Sequence, residues 1–398
     1  MADTTKIKNI IALLTAHITD NMHPPSQPGI LSGRAGQLLF LWYAARWIPG
    51  LISESQFEDL LADLSPNMEV PYAMCFGHGL SGIAWFYEVI LNDTEYQAEF
   101  NANSDTVLHD YVLSAQGNAE FEYVLGLNGI AAYAARRAHH GQGKQLIESL
   151  VAELIARAHF FHENECSWPT QPTSAYRLVE DKDEQEFNLG LAHGVPGILA
   201  ALIALIPHLD EEDCKLKATK VLRAGCHWLV KQQQDPATYG SYYANLAGYP
   251  AKSRLGWCYG DLTIALTLFR AGALLSEPGY SKLAQAISLH ASSRGPTDAM
   301  IQDAGLCHGA AGLIVIFSLL QRYYPHPEIA AASAHWRDFV LSRFEKQGLA
   351  GFNKLKDGPD NLHFEEDYSF LSGYAGVGLC LLVAAGQEPD WIDALLLA

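Results

Sequence analysis

A pair of glycines spaced three residues apart recurs along the whole chain, and it constrains the fold more than any other feature. The pair is intact in six places, with its first glycine at Gly33, Gly79, Gly126, Gly194, Gly309 and Gly373. A seventh unit begins at Gly260, where Thr263 replaces the second glycine. An apolar run follows each pair, and the steps between units range from 46 residues (33 to 79) to 68 (126 to 194). The sequence is therefore a sevenfold repeat with insertions between its units.

Seven amphipathic segments alternate with these apolar runs, each with apolar residues at helical spacing and a charged face. They span residues 5–18, 54–64, 105–113, 144–160, 211–231, 280–291 and 328–344. Helices that are apolar on nearly every face must be buried, and amphipathic helices must cover them. An open solenoid would need polar end repeats, which this chain lacks. The pattern predicts an all-α protein, an α/α toroid of seven inner and seven outer helices. We expect one domain over 1–398, with insertions near 161–188 and 353–367.

Composition excludes several other classes of protein. The 398 residues are 49% hydrophobic and 18% charged, which suits a large buried core. No apolar run is long enough to span a bilayer. Residues 1–6 lack the pattern of a signal peptide, so we expect a cytoplasmic protein that is not integral to the membrane. The net charge of −18 argues against binding to nucleic acid or anionic membranes.

The glycines are interpreted as packing residues. A glycine at a helix entry permits a positive φ or a close backbone approach. The second glycine, with small neighbours such as Ala35 and Ala311, is expected to let inner helices crowd together. Aligning the repeats on the first glycine fixes their register.

That register places chemically active side chains at equivalent positions. The residue before the first glycine is a histidine or tyrosine in four units: His78, His193, Tyr259 and His308. The position before that holds Cys258 and Cys307. Equivalent positions on inner helices face the same end of a ring, and neighbouring helices lie about 8–10 Å apart. Side chains from two repeats are therefore expected to meet.

Cys258, Cys307 and His308 are predicted to hold one zinc ion per chain. Three protein ligands leave the fourth tetrahedral position open, as in catalytic zinc sites. The alternative is two buried thiols and a hydrogen-bonded histidine. The shared register of the two cysteines favours zinc, and Gly305 and Gly309 permit the bent entry that turns both Cys307 and His308 inward.

Three motifs within these repeats resemble the lanthionine synthetase C-like family, the lanthipeptide cyclases usually called LanC. They are Trp257-Cys258-Tyr259-Gly260, Cys307-His308-Gly309 and Ala192-His193-Gly194. The resemblance runs from about Gly33 to Cys380. It implies the sevenfold α/α toroid, a zinc ion at its open end and intramolecular thioether formation in a dehydrated precursor peptide. The chain resembles the stand-alone cyclases, which act beside a dehydratase and a transporter.

The implied reaction adds a peptide cysteine to the β-carbon of dehydroalanine or dehydrobutyrine and forms lanthionine or methyllanthionine. A free thiol, with a pKa near 8.5, is mostly protonated at neutral pH, and only the thiolate is a good nucleophile. Zinc deprotonates a bound thiol. Addition then creates an enolate that needs charge stabilisation and a proton at the α-carbon.

Four further residues are assigned to this chemistry through the resemblance and the register. His193 is expected to be the acid, although a helix-capping or core histidine is the alternative. Arg254 matches the family's arginine and is expected to steady the enolate or orient a carboxylate, with a structural salt bridge as the alternative. Tyr259 is expected to hydrogen-bond near the zinc. Glu122 stands where the family often has aspartate and is expected to pair with His193 or Arg254, with a residue that only sits at an inner-helix entry as the alternative, and His78 has no assigned role.

Two other function classes stay open. One is a related enzyme that joins glutathione to dehydrated residues, and the other is a zinc-bearing scaffold that binds peptides without catalysis. The insertion at 161–188, with its acidic run at 180–184, and the acidic loop at 357–367 either line the open face or are solvated loops.

Overall fold

Helices alternate along the chain as the repeats predict. The computed structural model describes residues 2–64, 73–91, 97–115, 117, 119–357, 362–388 and 390–398. The helices that follow the glycines are α2 (Arg34–Trp47), α4 (Leu80–Ile90), α6 (Leu127–Ala138), α8 (Val195–Leu205), α10 (Asp261–Leu274), α12 (Ala310–Tyr323) and α14 (Tyr374–Ala384). The helices between them are α1 (Ala2–Asp20), α3 (Glu54–Ala62), α5 (Ala102–Ser114), α7 (Lys144–Ala156), α9 (Glu212–Lys231), α11 (Pro278–Ser292) and α13 (Pro327–Gln347).

Burial separates the two sets of helices. Helix α8 buries ten of its eleven residues, whereas the longer α9 buries eight of twenty, on one face. The even-numbered helices therefore form the inner set and the odd-numbered helices the outer set, as the hydrophobic pattern predicts. Within the described residues no helix combines the length and the apolar character needed to cross a membrane.

The chain packs as two compact units. The first comprises residues 1–73, 77–79 and 292–389, and the second comprises residues 74–76, 80–291 and 390–398. In the first unit the inner helices pack in the order α12, α14, α2, and α13 covers α12. In the second unit the order is α4, α6, α8, α10, with α7 and α9 packed outside. A single domain over 1–398 stays a prediction.

Five of the inner helices begin at backbone caps supplied by their own preceding loops. The first N–H of α2, at Arg34, donates to the Gln27 carbonyl at 2.8 Å, and the first N–H of α8, at Val195, donates to the Asn188 carbonyl at 2.9 Å. The same bond, seven residues back, caps α6, α12 and α14. These N–H groups have no partner within the helix, so the loop satisfies them where no side chain does.

The second glycine of the pair packs against the same preceding loop. A Cβ at Gly312 would overlap the carbonyl of Leu306, six residues earlier, and a Cβ at Gly197 would overlap that of Leu191. The tightest contact is thus with the loop of the same repeat. The sequence predicts that this glycine lets neighbouring repeats crowd together. Such a contact between repeats is also present at Gly36, where a Cβ would lie 2.7 Å from the Phe370 Cβ.

Two β-hairpins depart from the predicted helices and loops. The amphipathic segment 144–160 was expected to be helical throughout, but α7 ends at Ala156, and strand β1 (His159–His162) pairs antiparallel with β2 (Glu165–Ser167). The second hairpin pairs β3 (Lys354–Asp357) with β4 (Leu362–Glu365) inside the insertion at 353–367. Residues 358–361 of that insertion lie outside the described residues.

A buried charge network joins α4, α5 and α6. The Arg137 side chain is fully buried, and its Nη2 donates to Asp105 at 2.6 Å while its Nη1 donates to Glu88 at 3.1 Å. Tyr133 also donates to Asp105, and Asn101 donates to Glu88, at 2.6 and 2.7 Å. Every charged member thus has a polar partner.

We expect Arg137→Ala to destabilise the protein by about 3–5 kcal/mol, because it leaves the buried Glu88 carboxylate and the half-buried Asp105 carboxylate without their cation. Chemical denaturation followed by circular dichroism measures the change. The matched control is Arg322→Ala, which removes an exposed ion pair with Glu388 and should cost less than about 1 kcal/mol. Equal losses in the two variants would contradict this account.

Candidate metal centre and active site

Hydrogen bonds between the pre-helix loops bring equivalent repeat positions together. In the second unit Ala192 N donates to the carbonyl of the equivalent Cys258 at 3.3 Å, and Tyr123 N, one residue before the position equivalent to Ala192, donates to the Ala192 carbonyl at 2.7 Å. In the first unit Cys307 N donates to the Leu371 carbonyl at 2.9 Å, and the same pattern continues through Leu31 to Gly77. The register read from the glycines is therefore built into the backbone.

The loop that carries Cys258 is held by the residues on either side of it. Trp257 is buried, and its Nε1 donates to the Leu395 carbonyl at 3.0 Å. Gly260 has a φ of +104°, a conformation that L-residues rarely adopt. A side chain at Gly260 would also overlap the Arg254 carbonyl. The Trp-Cys-Tyr-Gly sequence thus anchors the loop on one side of the cysteine and bends it on the other.

The Cys307–His308 loop is organised by one carboxylate. Asp303 Oδ1 accepts from Gly305 N at 3.0 Å and closes a turn, while Oδ2 accepts from Leu355 N at 3.2 Å. The β3–β4 hairpin therefore braces this loop. Gly309 faces the same carboxylate, because a Cβ there would overlap Asp303 Oδ1.

Cys258, Cys307 and His308 present three candidate ligand atoms within 4.8 Å of one another. Both cysteines are buried, with 8% and 7% exposure, and His308 is half-buried. Tetrahedral zinc with Zn–S near 2.3 Å and Zn–N near 2.0 Å places its donor atoms about 3.5–3.8 Å apart. The donor chemistry therefore suits a zinc ion, and the 4.8 Å limit on the distances between the donor atoms is compatible with one.

His193 and Glu122 form a hydrogen-bonded pair in the second unit. His193 Nδ1 lies 3.1 Å from Glu122 Oε2, and the carboxylate also accepts the backbone N–H groups of Val124, at 2.8 Å, and Leu125. Glu122 is 4% exposed and the His193 side chain 15%. A carboxylate can only accept here, so the proton sits on Nδ1 and Nε2 is left for other chemistry.

The other candidate residues lie on the same loops. Arg254 is half-buried, and within the described residues its side chain makes no hydrogen bond or ion pair, so the salt-bridge alternative has no partner there. The Tyr259 hydroxyl accepts from Asn188 Nδ2 at 2.8 Å, and its ring lies 6.1 Å from that of His193. His78 is exposed and its Nδ1 lies 3.1 Å from Ser32 Oγ.

Two features of the site were missed from the sequence. Tyr176, in the insertion at 161–188, stacks on His193 with ring centroids 3.9 Å apart and planes inclined by 12°. Nothing in the repeat pattern points to it. The second feature is the side-chain turn six residues before the first glycine, in which an Asn or Asp oxygen accepts the N–H two residues on. It occurs at Asn188, Asp303 and Asp367.

Comparison with known proteins confirms the predicted fold class. A solved structure of nisin cyclase matches with a TM-score of 0.73 and 17% identity, over 98% of this chain and 96% of that one. At that identity the likeness shows the fold, which is an all-α, α/α toroid. The family model for lanthionine synthetase C-like proteins matches residues 24–397. The chain belongs to the lanthionine synthetase C-like family.

Proposed function

We propose that the protein is a zinc-dependent lanthipeptide cyclase. It adds cysteine thiolates of a dehydrated precursor peptide to dehydroalanine or dehydrobutyrine and closes lanthionine or methyllanthionine rings. Membership of the lanthionine synthetase C-like family and the toroid fold of nisin cyclase support cyclase activity. The observation that carries the proposal is the cluster of Cys258, Cys307 and His308 in a chain of this family.

These three residues would hold one zinc ion, leaving the fourth tetrahedral position for a substrate thiol. When bound, zinc would lower the pKa of that thiol so that it reacts as a thiolate. The burial of the two cysteines keeps the site away from bulk water and strengthens electrostatic interactions there.

The remaining steps fall to residues of the second unit. A carbon–sulfur bond forms at the β-carbon, the electron pair of the double bond moves to the enolate oxygen, and the α-carbon takes up one proton. His193 Nε2 takes up the proton that the substrate thiol loses and passes it to the α-carbon as the enolate carbonyl re-forms, while Glu122 holds Nδ1–H. Arg254, with no partner among the described residues, is available to the enolate oxygen or to a peptide carboxylate. The ring of Tyr259 lies 6.1 Å from that of His193, and its hydroxyl accepts a hydrogen bond from Asn188.

The thiol loses one proton and the α-carbon gains one, so cyclisation leaves the mass of the peptide unchanged. The protein is incubated with a dehydrated precursor, alkylated to label free thiols and analysed by mass spectrometry. Loss of free thiol without a change in mass supports cyclisation. A glutathione-sized mass gain in the presence of glutathione assigns the conjugating class, and no change under either condition leaves a non-catalytic scaffold.

Action in the cytoplasm beside a dehydratase and a transporter is part of this proposal. It is supported by the need for a dehydrated substrate, which some other enzyme must supply. Co-purification of the full-length protein with a candidate dehydratase in the presence of precursor is the direct check.

We expect Glu122→Gln to lower kcat by about 10- to 100-fold, the scale seen when the orienting partner of a functional histidine is lost. Glutamine offers one acceptor oxygen where Glu122 accepts three N–H donors. Zinc content should not change, since Glu122 is not in the ligand cluster. Glu148→Gln, on the exposed face of α7, is the matched control. Equal kcat values for the two variants would count against a role for Glu122.

A further inference from the structure

The insertion at 161–188 is fastened to the loop that carries Glu122. Ser174 Oγ donates to Glu120 Oε2 at 2.7 Å, and Gln171 Nε2 donates to the Ala119 carbonyl at 2.8 Å. Arg157 Nη1 donates to that carbonyl as well. Residues 171–174 are therefore tied to the same loop that positions the Glu122 carboxylate.

The rest of the insertion holds its shape through its own polar contacts. Glu186 is 1% exposed, and its Oε2 accepts the N–H groups of Leu178 and Val179, each at 2.8 Å. Arg177 Nη2 donates to the carbonyls of Asp181 and Glu184 at 2.8 and 2.9 Å. The acidic side chains at 180–184 face solvent, as a solvated loop would have them. The fold of this loop thus fixes where residue 176 lies.

Tyr176 covers one face of the His193 imidazole. The two rings are nearly parallel, at 12°, with centroids 3.9 Å apart. Burial, followed by the charges of Glu122, Glu120 and Cys75, raises the pKa of Tyr176 to about 12. The phenol therefore stays protonated at neutral pH and contributes through the face of its ring.

We infer that Tyr176 is a positioning residue for His193 and that the insertion at 161–188 is a wall of the active site. This inference rests on the proposed cyclase function. The Glu122 bond fixes one nitrogen but leaves the ring free to tilt about the Nδ1–Oε2 axis. The parallel contact with Tyr176 prevents that tilt, so the Nε2 atom of His193 points in one fixed direction. Proton delivery to carbon depends on such alignment, and a misplacement of about 1 Å can cost about 100-fold in rate.

The experiment compares Tyr176→Phe, Tyr176→Leu and the control Tyr249→Leu in the full-length protein. Tyr249 is an exposed tyrosine outside the insertion. Its hydroxyl donates to Glu184, which belongs to the insertion but lies away from His193. Steady-state kinetics with a dehydrated precursor gives kcat and KM. A second readout needs no substrate: the Hε1 resonance of His193, assigned with a His193→Gln sample, reports the ring current of a stacked tyrosine.

We expect Tyr176→Leu to lower kcat by about 100-fold with KM within about threefold, and Tyr176→Phe to restore kcat to within about threefold of wild type. The His193 Hε1 resonance should move downfield in Tyr176→Leu and stay in place in Tyr176→Phe and Tyr249→Leu.

The inference is overturned if Tyr176→Leu keeps its kcat, if Tyr176→Phe loses as much as Tyr176→Leu, or if the Hε1 resonance is the same in all samples. Failure of the proposed function gives a different result. The wild-type protein then closes no ring, although the His193 Hε1 resonance still moves downfield in Tyr176→Leu. In that case the assignment of Tyr176 to catalysis falls with the activity.

Discussion

Cys258→Ala is expected to abolish both zinc binding and ring closure. The variant removes one of three ligand atoms that lie within 4.8 Å of one another. Two remaining protein ligands do not make a stable tetrahedral site, because catalytic zinc sites use three. Metal analysis of the purified protein should fall from about one zinc per chain to well below stoichiometry. Cyclisation, measured as loss of alkylatable thiol, should slow by more than about 100-fold, since losing even an outer-shell partner costs 10- to 100-fold.

Cys214→Ala is the matched control for this variant. Cys214 lies half-buried on the outer helix α9 and belongs to no group of ligand atoms among the described residues. Its zinc content and its rate should match the wild type. Stoichiometric zinc in Cys258→Ala, or unchanged ring closure, would remove Cys258 from the metal centre and the proposed mechanism with it.

The repeat register was predictable because a backbone contact enforces it. Both glycines of a pair sit against carbonyls of the loop about six residues earlier, so neither position tolerates a Cβ. That requirement recurs at the glycine pairs of five units and is visible in the sequence as Gly-x-x-Gly, whereas the unit at Gly260 has Thr263 at its second position. Since neighbouring loops are hydrogen-bonded at equivalent residues, as at Ala192 and Cys258, side chains that share a register position meet in space.

The contact between Tyr176 and His193 could not be predicted in this way. Tyr176 lies in an insertion, outside the repeat, and its place depends on polar contacts such as those of Glu186 and Arg177. No periodicity specifies such contacts. The turns at Asn188 and Asp303, by contrast, could have been predicted from the sequence. Each of these residues stands six positions before the first glycine of its pair, and another glycine follows it two positions later.

The helix predicted over residues 144–160 was too long at its C-terminal end. Phe160 continues the apolar spacing of the segment from Lys144, which favours a longer helix. In the structure the helix ends at Ala156, and Phe160 pairs with Cys166 across a hairpin whose turn contains Asn164. Cross-strand pairing overrode the helical spacing, and the asparagine was the local sign of the turn.

His193→Asn should separate proton delivery from metal binding. Loss of a general acid costs about 10²- to 10⁴-fold, and we expect kcat to fall within that range while zinc stays stoichiometric. His78→Asn is the matched control, since His78 has the same register position but is exposed and contacts Ser32.

A double-mutant cycle that combines His193→Asn with Glu122→Gln tests whether the two residues act together. If Glu122 acts through His193, its substitution should cost almost nothing once His193 is gone, because residues that act as a unit are not additive. Additive losses would place the two residues in separate roles, and unchanged kcat in His193→Asn would assign the proton to another group.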